Sequence, residues 1–312
     1  MHRLTVAAER FHEQCVGLLL PMLHDKNAIT DSAFLACSTI LRFYEEISAP
    51  EHGRDNARHL LGGYAFVAEV QEQALELDDL GNAAFWVHQR QDLIVAISNH
   101  RAPKTDPNRT GLDRSFGSAN TKTWAKRATC LHAEVVNFCF DSATATKDGF
   151  SEIMAKLEQW DRCKPAVFKP VLYRESDASL STSLPDICFT VDECAMAWAY
   201  HLFSRLLMAI HDPAVPRMGP DFIQGQTRVK KEVSHYLRLL CGIASSNPVP
   251  PARTVVCLAI SQCGAWVGGK AELDSMLEVL RMVEREDAWP TTYAQEILRS
   301  QSIWDGQSVG HF

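Results

Sequence analysis

Residues 192–211, DECAMAWAYHLFSRLLMAIH, form the stretch that decides the fold. Asp192 is a residue type favoured just before a helix, because its carboxylate accepts hydrogen bonds from the first free backbone amides. The apolar run behind it is too long for a typical strand and follows helical spacing. The sequence therefore predicts a long apolar helix that Asp192 caps.

The same helical spacing continues in both directions from this stretch. Thr30 and Asp31 are typical N-cap residues before AFLACSTILRFYEEI, and further helices are predicted at 56–77, 80–97, 121–140 and 149–162. On the C-terminal side, the pattern predicts helices at 221–245, 252–266, 271–286 and 291–300. Short β-branched runs such as 254–256 lie inside helical spacing, so no strand is predicted.

Two segments lack sustained periodicity. Residues 101–120 are rich in Pro, Asn and Gly, which favour turns, and residues 164–186 contain Pro165, Pro170 and Pro185, which interrupt a helix. Both are expected to be long loop crossings. The sequence predicts an all-α fold, with about ten packed helices in a single domain over residues 1–312.

Composition excludes several classes of function. The chain has 46% hydrophobic and 22% charged residues, which is typical of a globular protein. A formal charge of -7 with scattered Lys and Arg gives no basic surface for a nucleic-acid backbone. No stretch of about 18 apolar residues predicts a membrane span, and charges interrupt the N-terminal apolar run. We therefore expect a cytoplasmic protein that does not bind nucleic acid.

Common catalytic motifs are missing from the sequence. It contains no CxxC, HExxH, GxSxG, P-loop or strand-associated GxGxxG, which disfavours the common hydrolase, nucleotide and dinucleotide sites. Ten cysteines occur singly, and the closest pairs, Cys188 with Cys194 and Cys257 with Cys263, are separated by five residues. This spacing favours cysteines as small core residues over a zinc site.

Several helical segments resemble the regulatory domain of fungal zinc-cluster transcription factors, in particular its arca-like branch. The resembling segments span most of residues 18–298: TDSAFLACSTILRFYEEI, HLLGGYAFV, GNAAFWVHQRQDLIVAI, WAKRATCLHAEVVNFCF, WDRCKPAVFKPVLY, CGIASSN and ISQCGAWV. In that family a six-cysteine zinc cluster precedes the helical region and binds DNA. Here the resembling helices begin within about twenty residues of Met1, so no such cluster is expected. The segments are packing patterns and carry fold information more than activity.

An acidic pattern raises the possibility of metal chemistry. Asp78, Asp79 and Asn82 resemble a variant of the aspartate motif with which terpene cyclases hold Mg²⁺, a cation that prefers oxygen ligands. Asp92 falls on the same helix stripe, and Asp192 is the candidate for a second acidic site. The alternative is that an Asp followed by Gly at a helix start serves as an ordinary N-cap.

Departure of a diphosphate also requires cations, and carbocations are stabilised by aromatic faces. The candidates for binding diphosphate are Arg42, Arg90, Arg205 and Lys230. The candidates for lining a catalytic chamber beside Arg90 are Phe85, Trp86 and Tyr200. The alternatives are surface ion pairs, such as Arg42 with Glu45 or Glu46, and ordinary core packing.

Two hypotheses of different class follow. Standalone proteins with this scaffold and no zinc cluster are similar to the humulene synthases of fungal tropolone-sesquiterpenoid pathways. That resemblance implies an atypical class I sesquiterpene cyclase with Mg²⁺ as cofactor and farnesyl diphosphate, a prenyl diphosphate, as substrate. The second hypothesis is a ligand-sensing or regulatory helical module with no turnover. A homodimer is compatible with both hypotheses, the cyclase and the regulatory module.

Overall fold

The computed structural model describes residues 2–48, 61–72, 77–106, 112–141, 143, 145–175 and 184–307. These residues form a packed array of twelve α-helices, which confirms the predicted all-α fold. The helices are α1 (His2–Met22), α2 (Lys26–Ile29), α3 (Ser32–Ser48), α4 (Leu61–Glu72), α5 (Asp79–Ser98), α6 (Thr121–Phe140), α7 (Lys147–Cys163), α8 (Asp192–Ile210), α9 (Phe222–Ser246), α10 (Pro250–Cys263), α11 (Lys270–Asp287) and α12 (Thr292–Gln307). None of the helices in these ranges has the length and apolar content to cross a membrane.

Helix α8, the stretch that predicted the fold, lies at the centre of the larger hydrophobic core. It packs against α6, α7, α9 and α10, and its side chains are buried around most of its circumference. A helix that is apolar on all sides is stable only when other helices surround it, which explains this central position. Each large side chain buried here, such as Phe203 or Leu206, contributes about 1.5–3 kcal/mol to folding.

The N-terminus of α8 differs from the prediction. Val191, and not Asp192, is the N-cap residue, and no side chain caps the free amides. Asp192 is the first helical residue and is exposed to solvent. Its negative charge still faces the positive end of the helix dipole, so an acidic residue suits this position without being the cap.

A second, smaller hydrophobic cluster joins α2, α3, α4 and α5. Its buried residues are Ile29, Phe34, Leu35, Phe66, Val67, Val70, Ala84, Phe85 and Trp86, together with Cys130 of α6. Helix α5 therefore separates two cores: its first turns face the smaller cluster, and Leu93, Ala96 and Ile97 near its end belong to the larger one. Because α5 lies between the two cores, several of its polar side chains are buried.

The two predicted loop crossings lie between α5 and α6 and between α7 and α8. The first is free of helix over its described residues, 101–106 and 112–120, as predicted. The second contains two short strands that were not predicted, β1 (Leu172–Arg174) and β2 (Asp186–Cys188), which pair antiparallel with Tyr173 opposite Ile187. Strands of three residues show no hydrophobic alternation, and the pairing depends on the Arg174–Asp186 ion pair and on Asn247, whose Nδ2 donates to the Ile187 carbonyl at 2.7 Å.

Candidate functional site

The acidic start of α5 forms a helix cap. Asp78 is the N-cap residue, and its Oδ1 accepts hydrogen bonds from Ser32 Oγ at 2.6 Å and from the Gly81 amide at 2.7 Å. These two bonds, with Ser32 first, lower the pKa of Asp78 because they favour its charged form. A Cβ at Gly81 would lie 2.5 Å from Ser32 Oγ, so this close approach requires glycine. The carboxylate therefore ties α3 to α5.

The other polar residues of this turn face a lysine. Asp79 and Asn82 are exposed, and Asn82 Oδ1 lies 3.5 Å from Lys126 Nζ of α6. The same ammonium group lies 4.8 Å from the centre of the Trp86 ring, a favourable cation–π distance. The Lys126 ammonium group therefore lies beside both Asn82 and Trp86.

Asp92 is fully buried and its two carboxylate oxygens are bound by three donors. Oδ1 accepts from the Tyr64 hydroxyl at 2.5 Å and from Arg101 Nη2 at 3.2 Å, and Oδ2 accepts from the Thr105 amide at 2.7 Å. Burial first, and then Asp92, raises the pKa of Tyr64. His88 Nε2 lies 3.3 Å from Thr105 Oγ1, and burial lowers the pKa of this imidazole to about 4, which keeps it neutral. We call these five residues the Asp92 network.

Asp78 and Asp92 are too far apart along the helix to bind the same magnesium ion. Asp92 follows Asp78 by fourteen residues, which is about 21 Å along a helix, and Asp192 lies at the exposed start of α8. Within the described ranges, no three His, Cys, Asp or Glu side chains are grouped closely enough to hold a metal ion. In this structure Asp78 caps α5 and Asp92 accepts the hydrogen bonds of the network, and metal binding at the Asp78–Asn82 turn stays a prediction.

The predicted diphosphate-binding cations lie on four helices. Arg42 of α3 is buried, and its Nε lies 3.2 Å from Glu46 Oε1, the ion pair given as the alternative. Arg205 of α8 is half-buried, close enough to His201 to lower the pKa of that imidazole further, although burial is the larger cause. Lys230 of α9 is exposed to solvent.

Of the predicted catalytic residues, Phe85 and Trp86 are in ring contact, and Arg90 lies near enough to Tyr200 to affect the pKa of its hydroxyl. Burial raises the pKa of the Tyr200 hydroxyl to about 12, and the nearby Arg90 guanidinium lowers it by a smaller amount. The preceding residue, Gln89, is fully buried, and both polar atoms of its amide lack a hydrogen-bond partner within the described part of the chain. Phe85 and Trp86 pack edge to face at 5.7 Å in the smaller cluster, whereas Tyr200 belongs to the larger one. The aromatic residues therefore do not line a single chamber.

A cavity lies elsewhere, in a groove between α6 and the start of α7. It has a volume of about 520 Å³. Helices α6 and α7 form two of its walls, and the segment 103–106 forms the third. The apolar floor of the groove consists of Ala133, Phe138 and Ile153. We call it the α6–α7 groove, and its remaining lining residues are Pro103, Lys104, Thr105, Asp106, Glu134, Asn137, Ala143, Thr146, Gly149, Glu152 and Lys156.

Charged side chains surround this groove and are linked to one another. Lys156 Nζ contacts Glu134 Oε2 at 3.1 Å and Glu152 Oε1 at 2.7 Å. Glu134 also pairs with Arg114, which lies outside the lining. The Lys156 ammonium lowers the pKa of Glu152, so this carboxylate is ionised at neutral pH. The rim thus consists of fixed charges of both signs.

The Asp92 network holds one wall of the groove in place. Thr105 is buried and bonded to Asp92 through its amide, and Lys104 Nζ lies 4.9 Å from the centre of the Tyr64 ring. The sequence predicted 101–120 as a long loop but did not predict a groove between this loop, α6 and α7. The only signal was the position of this loop before α6, since the lining residues share no motif.

Comparison with protein-family models, with curated proteins and with solved structures found no match for this chain.

Proposed function

We propose that the protein is a ligand-sensing helical module whose binding site is the α6–α7 groove. The observation that carries this proposal is the groove itself, which combines a volume of about 520 Å³ with an apolar floor and a polar rim. Binding sites for small molecules commonly have about 300–1,000 Å³, mostly apolar walls and a few orienting polar groups. The acidic residues of α5 lie outside this groove and serve the fold.

The charges of the lining indicate the class of ligand. Two lysines, Lys104 and Lys156, and three carboxylates, Asp106, Glu134 and Glu152, line the groove, so their sum is two minus three, or minus one. Arg114, which pairs with Glu134 from outside the lining, offsets this charge, so the rim has no net positive charge to attract a diphosphate, whereas a neutral or cationic polar group needs none. The ligand we propose is a small amphipathic molecule with an apolar body on Phe138 and Ile153 and a neutral or cationic end at the rim.

Binding would act through the arrangement of the walls. A ligand that contacts the segment 103–106, α6 and α7 at the same time stabilises the conformations in which these three elements keep a fixed distance from one another. The Asp92 network connects the first of these elements to α4 and α5. A ligand bound in the groove therefore acts on the N-terminal helices through these hydrogen bonds, with no chemical step.

A pair of tryptophan substitutions tests this proposal. Ala143 lines the groove and is exposed, so Ala143→Trp fills the groove without overpacking the core. Ala155 is exposed on α7 outside the lining, and Ala155→Trp is the matched control. Native mass spectrometry after incubation with a cell extract of small molecules should show a bound mass for the wild type and the control and none for Ala143→Trp. Equal occupancy of all three proteins would reject the groove.

The sesquiterpene cyclase that the resemblance implies is the second candidate. The observation that favours it is the buried amide of Gln89, next to Arg90 in the sequence, whose two polar atoms have no hydrogen-bond partner among the described residues. Incubation with farnesyl diphosphate and Mg²⁺, with and without a chelator, followed by analysis of volatile products, tests it. A humulene-type hydrocarbon that disappears with chelator and in Arg90→Gln would favour the cyclase over the ligand-sensing module.

A further inference from the structure

The turn before α9 presents large apolar side chains to solvent. Met218 is 83% exposed, and Ile223 in the first turn of the helix is 75% exposed. Among the described residues these are the two most exposed large apolar side chains, and Phe222 between them is 38% exposed. Single exposed apolar residues are common on proteins, whereas three within six residues form a patch. We call residues 217–223 the α9 tip.

The backbone around the α9 tip is held against the helix. Gly219 turns the chain with a φ of +94°, a conformation that favours glycine. A Cβ at Gly225 would lie 3.0 Å from Pro216 Cδ, so the chain before the tip packs closely against α9. Arg228 Nη2 and Asp212 Oδ2 form an ion pair at 3.0 Å across the same contact. The apolar side chains of the tip therefore project from a fixed backbone, which reduces the cost of ordering them on binding.

Two lysines lie behind the tip on one side of α9. Lys230 and Lys231 are exposed and follow Ile223 by seven and eight residues, which is about two helical turns. Two turns correspond to about 10–12 Å along the helix axis. Glu232 follows Ile223 by about two and a half turns and so lies on the opposite side of the helix. The apolar end of α9 is thus followed by two cations at a defined distance.

The charge of this end of the protein is opposite to that of the whole chain. Arg217, Lys230 and Lys231 give plus three and Asp221 gives minus one, so the sum is three minus one, or plus two. The ion pair between Arg228 and its partner adds no net charge. The full chain has a formal charge of -7. An anionic surface therefore attracts this end and repels the remainder, which orients the protein.

We propose that the α9 tip docks on the surface of an anionic phospholipid bilayer. Met218, Phe222 and Ile223 enter the upper acyl region, and the two lysines lie at the level of the phosphates. Helices that bind at a membrane surface bury their apolar residues about 5–10 Å into the boundary between headgroups and acyl chains. The distance of about two turns between Ile223 and the lysines suits this depth when α9 approaches end-on.

A bilayer fits this surface better than a nucleic acid or a protein does. The phosphate backbone of a nucleic acid offers nothing to three exposed apolar side chains, whereas acyl chains remove them from water. A protein partner needs a cavity complementary to a protruding tip. The fluid acyl region surrounds side chains that are exposed on most of their surface, as Met218 and Ile223 are.

Co-sedimentation of the full chain with vesicles tests the charge requirement. We expect binding to phosphatidylcholine vesicles that contain phosphatidylserine, and much weaker binding to phosphatidylcholine alone or at high salt. Lys230→Gln combined with Lys231→Gln should weaken binding by roughly thirtyfold. The control, Lys122→Gln with Lys147→Gln, makes the same change in net charge at exposed positions on α6 and α7. No binding of the wild type, equal binding to both vesicle compositions, or equal loss in the two double variants would overturn the proposal.

The variant Ile223→Asp tests the apolar requirement. Aspartate is favoured in the first turn of a helix, so folding should be preserved, and we expect at least about tenfold weaker binding because the aliphatic side chain is lost. Leu80→Asp is the matched control, because Leu80 is 50% exposed and is the second residue of α5, as Ile223 is of α9.

Hydrogen–deuterium exchange with vesicles locates the contact without a substitution. We expect slower exchange at 217–231 in the wild type and in Leu80→Asp when phosphatidylserine vesicles are added. Slower exchange confined to other segments, or equal loss of binding in Ile223→Asp and Leu80→Asp, would reject the α9 tip as the docking site.

Discussion

The polar residues of α5 and the α6–α7 groove are neighbouring regions with opposite character. In the Asp92 network, a buried carboxylate has all of its donors supplied by the protein at 2.5–3.2 Å. In the groove, charged and polar side chains surround about 520 Å³ of space. In the first region the donors of the protein occupy the carboxylate, and the second encloses open space.

This contrast shows why acidic residues alone are a poor guide to a functional site. A carboxylate inside a protein must be bonded because leaving it unpaired costs several kcal/mol. The fold therefore supplies donors to Asp92 from α4 and from the segment 101–106, and these donors exclude other partners. Residues that line the groove are paired with one another at its rim and still border open space.

Removing the carboxylate of Asp92 should have the largest effect. Asp92→Ala leaves Tyr64, Arg101 and the Thr105 amide without their acceptor, so we expect a loss of about 3 kcal/mol in the free energy of unfolding. Urea denaturation measures it. Asp79→Ala is the control, since Asp79 is exposed at the start of the same helix and should leave the midpoint unchanged. Equal small effects of both substitutions would show that the network is not structural.

Acid should weaken the Asp92 network through His88. Burial lowers the pKa of His88 to about 4, so between that value and the ordinary pKa near 6.5 the unfolded chain binds the proton and the folded chain does not. The contribution of this histidine is complete above pH 6.5 and falls as the pH drops toward 4. We expect a loss of about 1 kcal/mol between pH 7.5 and 5.5 from this residue.

The variant His88→Gln isolates that effect, because glutamine does not titrate in this range. Its free energy of unfolding should depend less steeply on pH than that of the wild type between pH 7.5 and 5.5. Parallel pH profiles for the two proteins would mean that His88 titrates in the folded state as it does in the unfolded one.

Loss of the α5 cap should have a smaller effect. Asp78→Ala removes the acceptor for the Gly81 amide and for Ser32 Oγ, and we expect the Tm to fall by about 2–4 °C. Asp78→Ser retains a capping oxygen and should restore most of the Tm. If the two variants melt at the same temperature, capping is not what this residue contributes.

The sequence predicted the helices and much less of the site, for a physical reason. Helical spacing is local, so runs such as 192–211 contain the information for their own structure. The partners of Asp92 come from Tyr64, Arg101 and Thr105, and only the packed fold brings them together. The groove depends on the path of 103–106 past α6 and α7, which no motif encodes. The short strands β1 and β2 were missed because their pairing, and not their composition, defines them.

Hydrogen–deuterium exchange of the wild type with and without the molecule captured from the extract tests the choice between the two regions most directly. We expect slower exchange on binding at 103–106 and at 146–156, where the backbone borders the groove. Slower exchange confined to 79–84, at the acidic start of α5, would contradict a site in the groove and would favour a ligand held by Asp78, Asp79 and Asn82.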